Sequence, residues 1–202
     1  MKIIPTLTGN NLKKANDMLY DVASLLDENN ITYHLEGGTL LGIVRDNALL
    51  PWDHDIDISI PSSEVDKFLD LKSKLSKSYK LKLRYFEEDS CIFKKDKLRI
   101  IKVKYYLSSF LKGILPLFFR KYDIVLDIFV KYSDDKDTYW EAAGKNMKVS
   151  SKYYESFETV EFNAYSYKVP NHYKEYLTQK YGDWSQVVKE WDCSKDEKTI
   201  LS

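Results

Sequence analysis

The stretch Pro51-Trp52-Asp53-His54-Asp55-Ile56-Asp57-Ile58-Ser59-Ile60 decides how this chain is read. In an extended strand, side chains at i, i+2 and i+4 share one face. Asp53, Asp55 and Asp57 therefore point one way, while Ile56, Ile58 and Ile60 point into a core. At about 3.3 Å of rise per residue, successive carboxylates lie roughly 6.6 Å apart. With an effective dielectric of about 20, each neighbouring pair repels by about 2.5 kcal/mol. A fold that keeps such a row usually recovers the cost by binding a divalent cation.

Upstream, Gly37-Gly38-Thr39-Leu40-Leu41-Gly42 follows a short strand predicted over Ile31 to Leu35 and opens a brief helix over Leu40 to Val44. Paired glycines at such a junction let the backbone approach a phosphate, and a helix N-terminus favours an anion there. Arg45, one turn beyond Leu41, suits a bidentate phosphate contact. Alone, the glycines fit an ordinary tight turn equally well. Followed so closely by the carboxylate row, they complete an anion cradle beside a cation site. That is the minimum apparatus for chemistry on a nucleoside diphosphate ester.

Such a site needs a further acid from a neighbouring strand. Tyr122 to Val130 reads as a strand apolar enough to be buried on both faces. Asp127, between Leu126 and Ile128, is the preferred ligand, because a carboxylate so flanked is costly to bury unless paired or metal-bound. Asp123 shares its face and is the second choice, nearer the strand mouth. Asp53 either supports the metal ligands from behind, caps a turn or holds Arg45.

Elsewhere, Leu12, Ala15, Met18, Leu19, Val22, Leu25 and Leu26 recur at helical spacing, with Asn10 or Asn11 as N-cap and an end near Asp27 to Asn30. Pro61-Ser62-Ser63-Glu64 opens a second helix through Leu75, capped by Ser62 or Ser63. Strands are expected over Tyr79 to Phe86, Ser90 to Lys94 and Lys97 to Tyr106, and a hairpin over Thr159 to Val169 turning at Asn163-Ala164. A last helix carries Tyr173, Leu177 and Tyr181 on one stripe and stops at Gly182. With 202 residues, 44% hydrophobic and 31% charged, the chain reads as one mixed α/β domain over 1–202. Lys+Arg and Asp+Glu are both 31, so no global field favours nucleic acid. Two cysteines without metal spacing, and no apolar run at Met1 to Thr6, make a reduced cytoplasmic protein the expectation.

Gly37 to Arg45 followed by Leu50 to Ile58 resembles the signature of the LicD family, which includes the fukutin-type transferases. Val169-Pro170, Tyr176-Leu177 and Tyr181-Gly182-Asp183-Trp184 resemble that family's closing segment. The resemblance implies a nucleotidyltransferase-like mixed β-sheet flanked by helices. It also implies transfer of a phosphorylated alcohol (phosphocholine, glycerol phosphate or ribitol phosphate) from a CDP-activated donor to a glycan or lipid-linked glycan, with Mg²⁺ or Mn²⁺. Carried over by position, Asp55 and Asp57 are the metal pair and Asp127 the third carboxylate. Gly37, Gly38 and Thr39 form the phosphate cradle. The chain departs from the pattern at Asp46-Asn47, and at Glu36, where an Asp is commoner. His54 is read as pointing away from the metal.

Other readings are weaker. Asp53, Asp55, Asp57 and Glu64 match the acid spacing of an EF-hand loop, but β-branched Ile58 stands where a positive-φ glycine is required. A nucleotidyltransferase placing NMP on a small acceptor would use the same core residues. The apolar stretch 107–121, broken by Pro116 and flanked by Lys112, Arg120 and Lys121, is read as a buried excursion or dimer contact. Peripheral contact with the inner membrane face is its alternative. Tyr105, Tyr106, Trp140 and Trp184 are read as core before acceptor groove, and Lys102 and Lys104 as facing solvent before assisting phosphate binding.

Overall fold

A computed structural model of the chain describes residues 5–105 and 124–201. Asp123, Tyr106 and the 107–121 stretch lie outside the described residues.

Helix α1 (Gly9–Glu28) buries Ala15, Met18, Leu19, Val22, Ala23 and Leu26, the stripe the periodicity predicts. It begins earlier than expected: the N-cap is Thr8, with no side-chain cap bond, and Asn11 donates back to the Thr6 carbonyl. Strand β1 is only His34–Leu35, and α2 spans Gly37–Asp46, so the glycine pair lies inside the helix's first turn rather than ahead of it. Strand β2 (Asp55–Pro61) leads through a 3-10 turn (Ser62–Glu64) into α3 (Val65–Leu75), whose start carries no serine cap bond. Then come β3 (Tyr79–Tyr85), β4 (Leu98–Tyr105) and β5 (Val125–Ser133). Ser90 to Lys94 is not a strand. The Ser90 hydroxyl accepts from the Phe93 amide and closes a turn, and Phe93 stacks on Phe86 at 4.2 Å.

The main sheet runs β1-β2-β5-β4-β3, with β2 and β5 parallel and the other pairs antiparallel. Its apolar side carries Ile56, Ile58, Ile60, Leu126, Ile128, Ile101 and Val103, buried beneath α1 and α3. The opposite side carries the polar residues of the same strands. Strand β6 (Asp137–Ala142) pairs with the end of β5 and with β7 (Lys145–Ser150). This hairpin was not anticipated, although Ala143 and Gly144 (φ 50° and 71°) between alternating apolar residues are its two-residue turn. A separate hairpin, β8 (Phe157–Phe162) and β9 (Tyr165–Pro170), turns at Asn163-Ala164, both with positive φ, as predicted. Helix α4 (Tyr173–Tyr181) ends at Gly182, φ 73°. Among the described residues no helix is long and apolar enough to cross a membrane.

Candidate active site

Strand register builds the site. Asp57 on β2 stands directly opposite Asp127 on β5, and Asp55 lies two residues before Asp57 on the same face. Side-chain oxygens of Asp55, Asp57 and Asp127 all lie within 4.8 Å of one another. Asp53 does not belong to this strand, since β2 begins at Asp55. Asp53 sits in the preceding turn, where its carboxylate accepts from the His54 amide at 2.9 Å. It does not hold Arg45.

Burial and like charge act together on this cluster. Burial first, then the Asp53 and Asp127 carboxylates, push Asp55 up to about 7. Burial first, then Asp55 and Asp127, hold Asp57 well above the carboxylate range. Burial also raises Asp127, with Lys102 opposing it. Lys102 donates to Asp127 Oδ2 at 2.6 Å, so it belongs to the site and does not simply face solvent as its sequence position suggested. The reason is the β4–β5 ladder, which sets Lys102 opposite Asp127. The other oxygen, Oδ1 of Asp127, is buried without a hydrogen-bond partner.

The glycine pair serves this cluster directly. A Cβ on Gly37, whose φ is +56°, would meet Asp57 Oδ2 at 2.5 Å, and one on Gly38 would collide with Asp53 Oδ2. Only a bare backbone lets these carboxylates reach the N-terminus of α2. Thr39 stands behind the site: it is buried, and its Oγ1 accepts the Asp57 amide at 2.8 Å. That amide faces the edge of β2 where β1 has run out, so the threonine supplies the acceptor a further strand residue would have given. Arg45 lines the cavity, but its fork grips Asp46 (3.0 and 2.8 Å) and its Nη1 reaches the carbonyls of Trp184 and Gln186. His54 also borders the cavity, with its Nδ1 3.2 Å from the Pro5 carbonyl oxygen.

Glu36 anchors the α2 end. Its carboxylate accepts from the Gly37 amide, the Ser59 hydroxyl and the Tyr176 hydroxyl. It also pairs with Lys131 and Lys180, each at 2.8 Å, and Lys180 lies 3.5 Å from Glu197. Lys131 Nζ lies 3.1 Å from the centre of the Trp140 ring. Two lysines thus meet two glutamates, all buried, and burial pushes Lys131 down to about 7. Burial alone would raise Glu36, but Lys131 and Lys180 outweigh it and hold the carboxylate well below its usual range. Sequence reading passed over Lys131, Lys180 and Glu197; a lysine in the apolar run of β5 was the available signal.

A cavity of about 630 Å³ opens over the carboxylates. Trp140 and Glu141 of β6 and Trp184, Trp191 and Cys193 of the C-terminal segment help to line it. Trp140 is both buried and cavity-lining. Arg99 reaches the cavity through a bulge: β4 has one residue too many opposite Arg84-Tyr85, and Arg99 pairs there with Glu141 at 2.5 Å.

The family described as LicD/FKTN/FKRP, nucleotidyltransferase domain, matches residues 30–172. The lipopolysaccharide cholinephosphotransferase LicD of Haemophilus influenzae is 40% identical over 48 residues, 24% of this chain and 18% of that protein. Human ribitol 5-phosphate transferase FKRP is 24% identical over 162 residues, 80% of this chain and 30% of that protein. The chain spans 14% to 37% of the length of the curated relatives it matches. Among solved structures, the lincosamide antibiotic adenylyltransferase LnuA aligns with a TM-score of 0.46 and 17% identity, over 79% of this chain and 82% of that one.

Proposed function

The chain belongs to the LicD family, and on that premise we propose that it is a metal-dependent transferase of phosphorylated alcohols. In this reading it moves phosphocholine, glycerol phosphate or ribitol phosphate from a CDP-linked donor to a glycan hydroxyl and releases CMP. The observation that carries the reading is the convergence of Asp55, Asp57 and Asp127 beside the glycine-opened start of α2. Relatives named as a cholinephosphotransferase and a ribitol 5-phosphate transferase support a transferred alcohol phosphate. The cytidine and the glycan rest on family resemblance.

Three converging carboxylates, one of them with a buried unpartnered oxygen, fit a hard divalent cation such as Mg²⁺ or Mn²⁺. When bound, such an ion offsets the negative charge gathering on the diphosphate and on the departing CMP. Asp55, Asp57 and Asp127 would hold it. The chain's own residues do the rest. The acceptor hydroxyl loses its proton to Asp127 or to water as that oxygen attacks the distal phosphorus. The bond from this phosphorus to the bridging oxygen breaks, and its electron pair leaves with CMP. Lys102 keeps Asp127 in one orientation through Oδ2. The Gly38 and Thr39 amides, in the first turn of α2, are donors for the diphosphate. Positioning and fixed electrostatics supply most of the rate.

The test is product analysis. A thermal-shift screen with Mg²⁺ chooses among CDP-choline, CDP-glycerol and CDP-ribitol. The chosen donor is then incubated with glycan acceptors. Release of CMP with transfer of the alcohol phosphate supports the reading. Pyrophosphate release from CTP or ATP with NMP on the acceptor would replace it with nucleotidyl transfer.

A further inference from the structure

The side of the sheet that carries the carboxylates also carries a set of cations leading away from them. Directly opposed residues in a ladder share a face. Lys82 on β3 therefore stands beside Lys102 on β4, Lys102 beside Asp127, and Asp127 beside Asp57. In the next row Lys80 stands beside Lys104, which opposes Val125, itself beside Asp55. Arg84 opposes Ile100, whose side chain lines the cavity. Lys80, Lys82 and Arg84 are exposed, and Lys102 and Lys104 are half-buried. Neighbouring strands lie about 4.8 Å apart, so the row from Asp57 to Lys82 covers about 14 Å.

Lys102 pairs with Asp127, but among the described residues no carboxylate pairs with Lys80, Lys82, Arg84 or Lys104. The chain as a whole carries 31 basic and 31 acidic residues, so the concentration is local. Lysines on an edge strand discourage strand addition, and β3 is an edge strand. That role covers Lys80, Lys82 and Arg84. It does not cover Lys102 and Lys104 on an interior strand, nor a row that ends at the carboxylate centre.

We propose that this face is the docking track for the acceptor, and that the acceptor is a polyanion, a chain bearing phosphodiester groups. The inference rests on the transfer reading above. Each transfer of glycerol phosphate or ribitol phosphate leaves one phosphodiester, and hence one negative charge, on the acceptor. A chain extended by repeated transfer therefore carries anions at regular intervals. Along β3 the cations recur about every 6.6 Å, and across the strands about every 4.8 Å. The hydroxyl to be modified enters at Asp127, and the anionic tail runs over Lys102 and Lys104 toward Lys80, Lys82 and Arg84. A carboxylate cluster repels an approaching polyanion, and a cationic approach offsets that repulsion.

Binding without turnover tests the track. The probe is fluorescein-labelled inorganic polyphosphate, titrated by anisotropy across a NaCl series without divalent metal. The K80Q/K82Q/R84Q protein, checked for folding by its melting temperature, should bind at least tenfold more weakly than wild type, with a shallower salt dependence. The K67Q/K72Q/K74Q protein removes the same number of charges from α3 on the other side and should bind as wild type does. Equal binding by the track variant, or an equal loss in the α3 control, would overturn the proposal. So would capture on anionic phosphatidylglycerol vesicles that the track variant loses while soluble polyphosphate binds neither protein; the face would then be a membrane surface. An Asp57→Asn protein that cannot transfer but still binds polyphosphate keeps this result separate from the fate of the transfer reading.

Discussion

Lys102 on β4 donates a 2.6 Å hydrogen bond to Oδ2 of Asp127 on β5, so the third carboxylate of the centre is oriented by the neighbouring strand. Oδ1 of the same carboxylate is left without a partner. One oxygen is thus held by the protein and the other is not.

Replacing Lys102 by Met should therefore act on catalysis more than on stability. Groups that orient a metal ligand typically contribute about 10- to 100-fold in activity or metal affinity. CMP release should fall in that range, while the melting temperature changes by only a few degrees because the side chain is partly exposed. Unchanged kcat/KM at saturating Mg²⁺ would show the contact to be incidental.

Asp55→Asn and Asp57→Asn should each abolish turnover without unfolding the protein. Each replaces a carboxyl whose ionised form burial and its neighbours disfavour, so the metal-free variants should melt at or above wild type. Added Mg²⁺ should raise the melting temperature of wild type and not of the variants. In a domain of this size about 1 kcal/mol corresponds to roughly 2–4 °C. Near-normal transfer by both variants would remove the mechanism.

Stability should depend on pH in a direction set by Asp55. Its pKa in the metal-free fold is pushed up to about 7, above the unfolded value of about 3.9. The stabilisation is complete below the unfolded value and is lost as pH rises through the folded one. Metal-free melting temperature should fall between about pH 4 and about pH 7 on this account. Glu36, held low, acts oppositely: its contribution is present above its unfolded value and is lost on acidification. Together they place the metal-free optimum on the acid side of neutrality, and saturating Mg²⁺ should flatten the fall toward pH 7. Calorimetric scans check this; a metal-free profile that rises steadily from pH 5 to 8 contradicts it.

Glu36→Gln leaves Lys131 and Lys180 buried against a neutral amide. Breaking a buried pair from one side costs about 3–5 kcal/mol. Adding Lys131→Met should recover part of that loss, and denaturant titrations of the double-mutant cycle measure the coupling. Losses that simply add would mean the residues do not act as a unit.

Gly37→Ala forces a Cβ into a left-handed position, at about 1–2 kcal/mol, and sets it 2.5 Å from Asp57 Oδ2. Transfer should drop far more than the modest fall in melting temperature implies, because the Asp57 carboxylate must move. Activity that tracks stability alone would argue against the close approach.

Much of this was legible in residues. Alternation at Asp55 to Ile60 gave the strand and its two faces, and Asp127 stood out as an acid in an apolar run. The hairpin turn at Asn163-Ala164 and the stop at Gly182 were also visible. Other assignments failed for identifiable reasons. Ser90 closes a turn with its own side chain, so its segment never becomes a strand. Arg45 is one turn from the glycines along the helix, yet Asp46 and the C-terminal carbonyls take its donors. The Thr39 hydroxyl turns back to the Asp57 amide, because β1 is too short to cover that amide, and only its backbone N–H is left at the start of α2.

By itself the sequence determined which side chains share a face and where segments turn, because those follow from the local period of the backbone and from residues that tolerate unusual φ. Only the tertiary structure decided which faces meet. The pairing of Asp57 with Asp127 and of Lys102 with Asp127, and the gathering of Lys131, Lys180 and Glu197 around Glu36, depend on strand order and ladder register. Those are set by how the apolar side of the sheet packs beneath α1 and α3, a property no single segment carries.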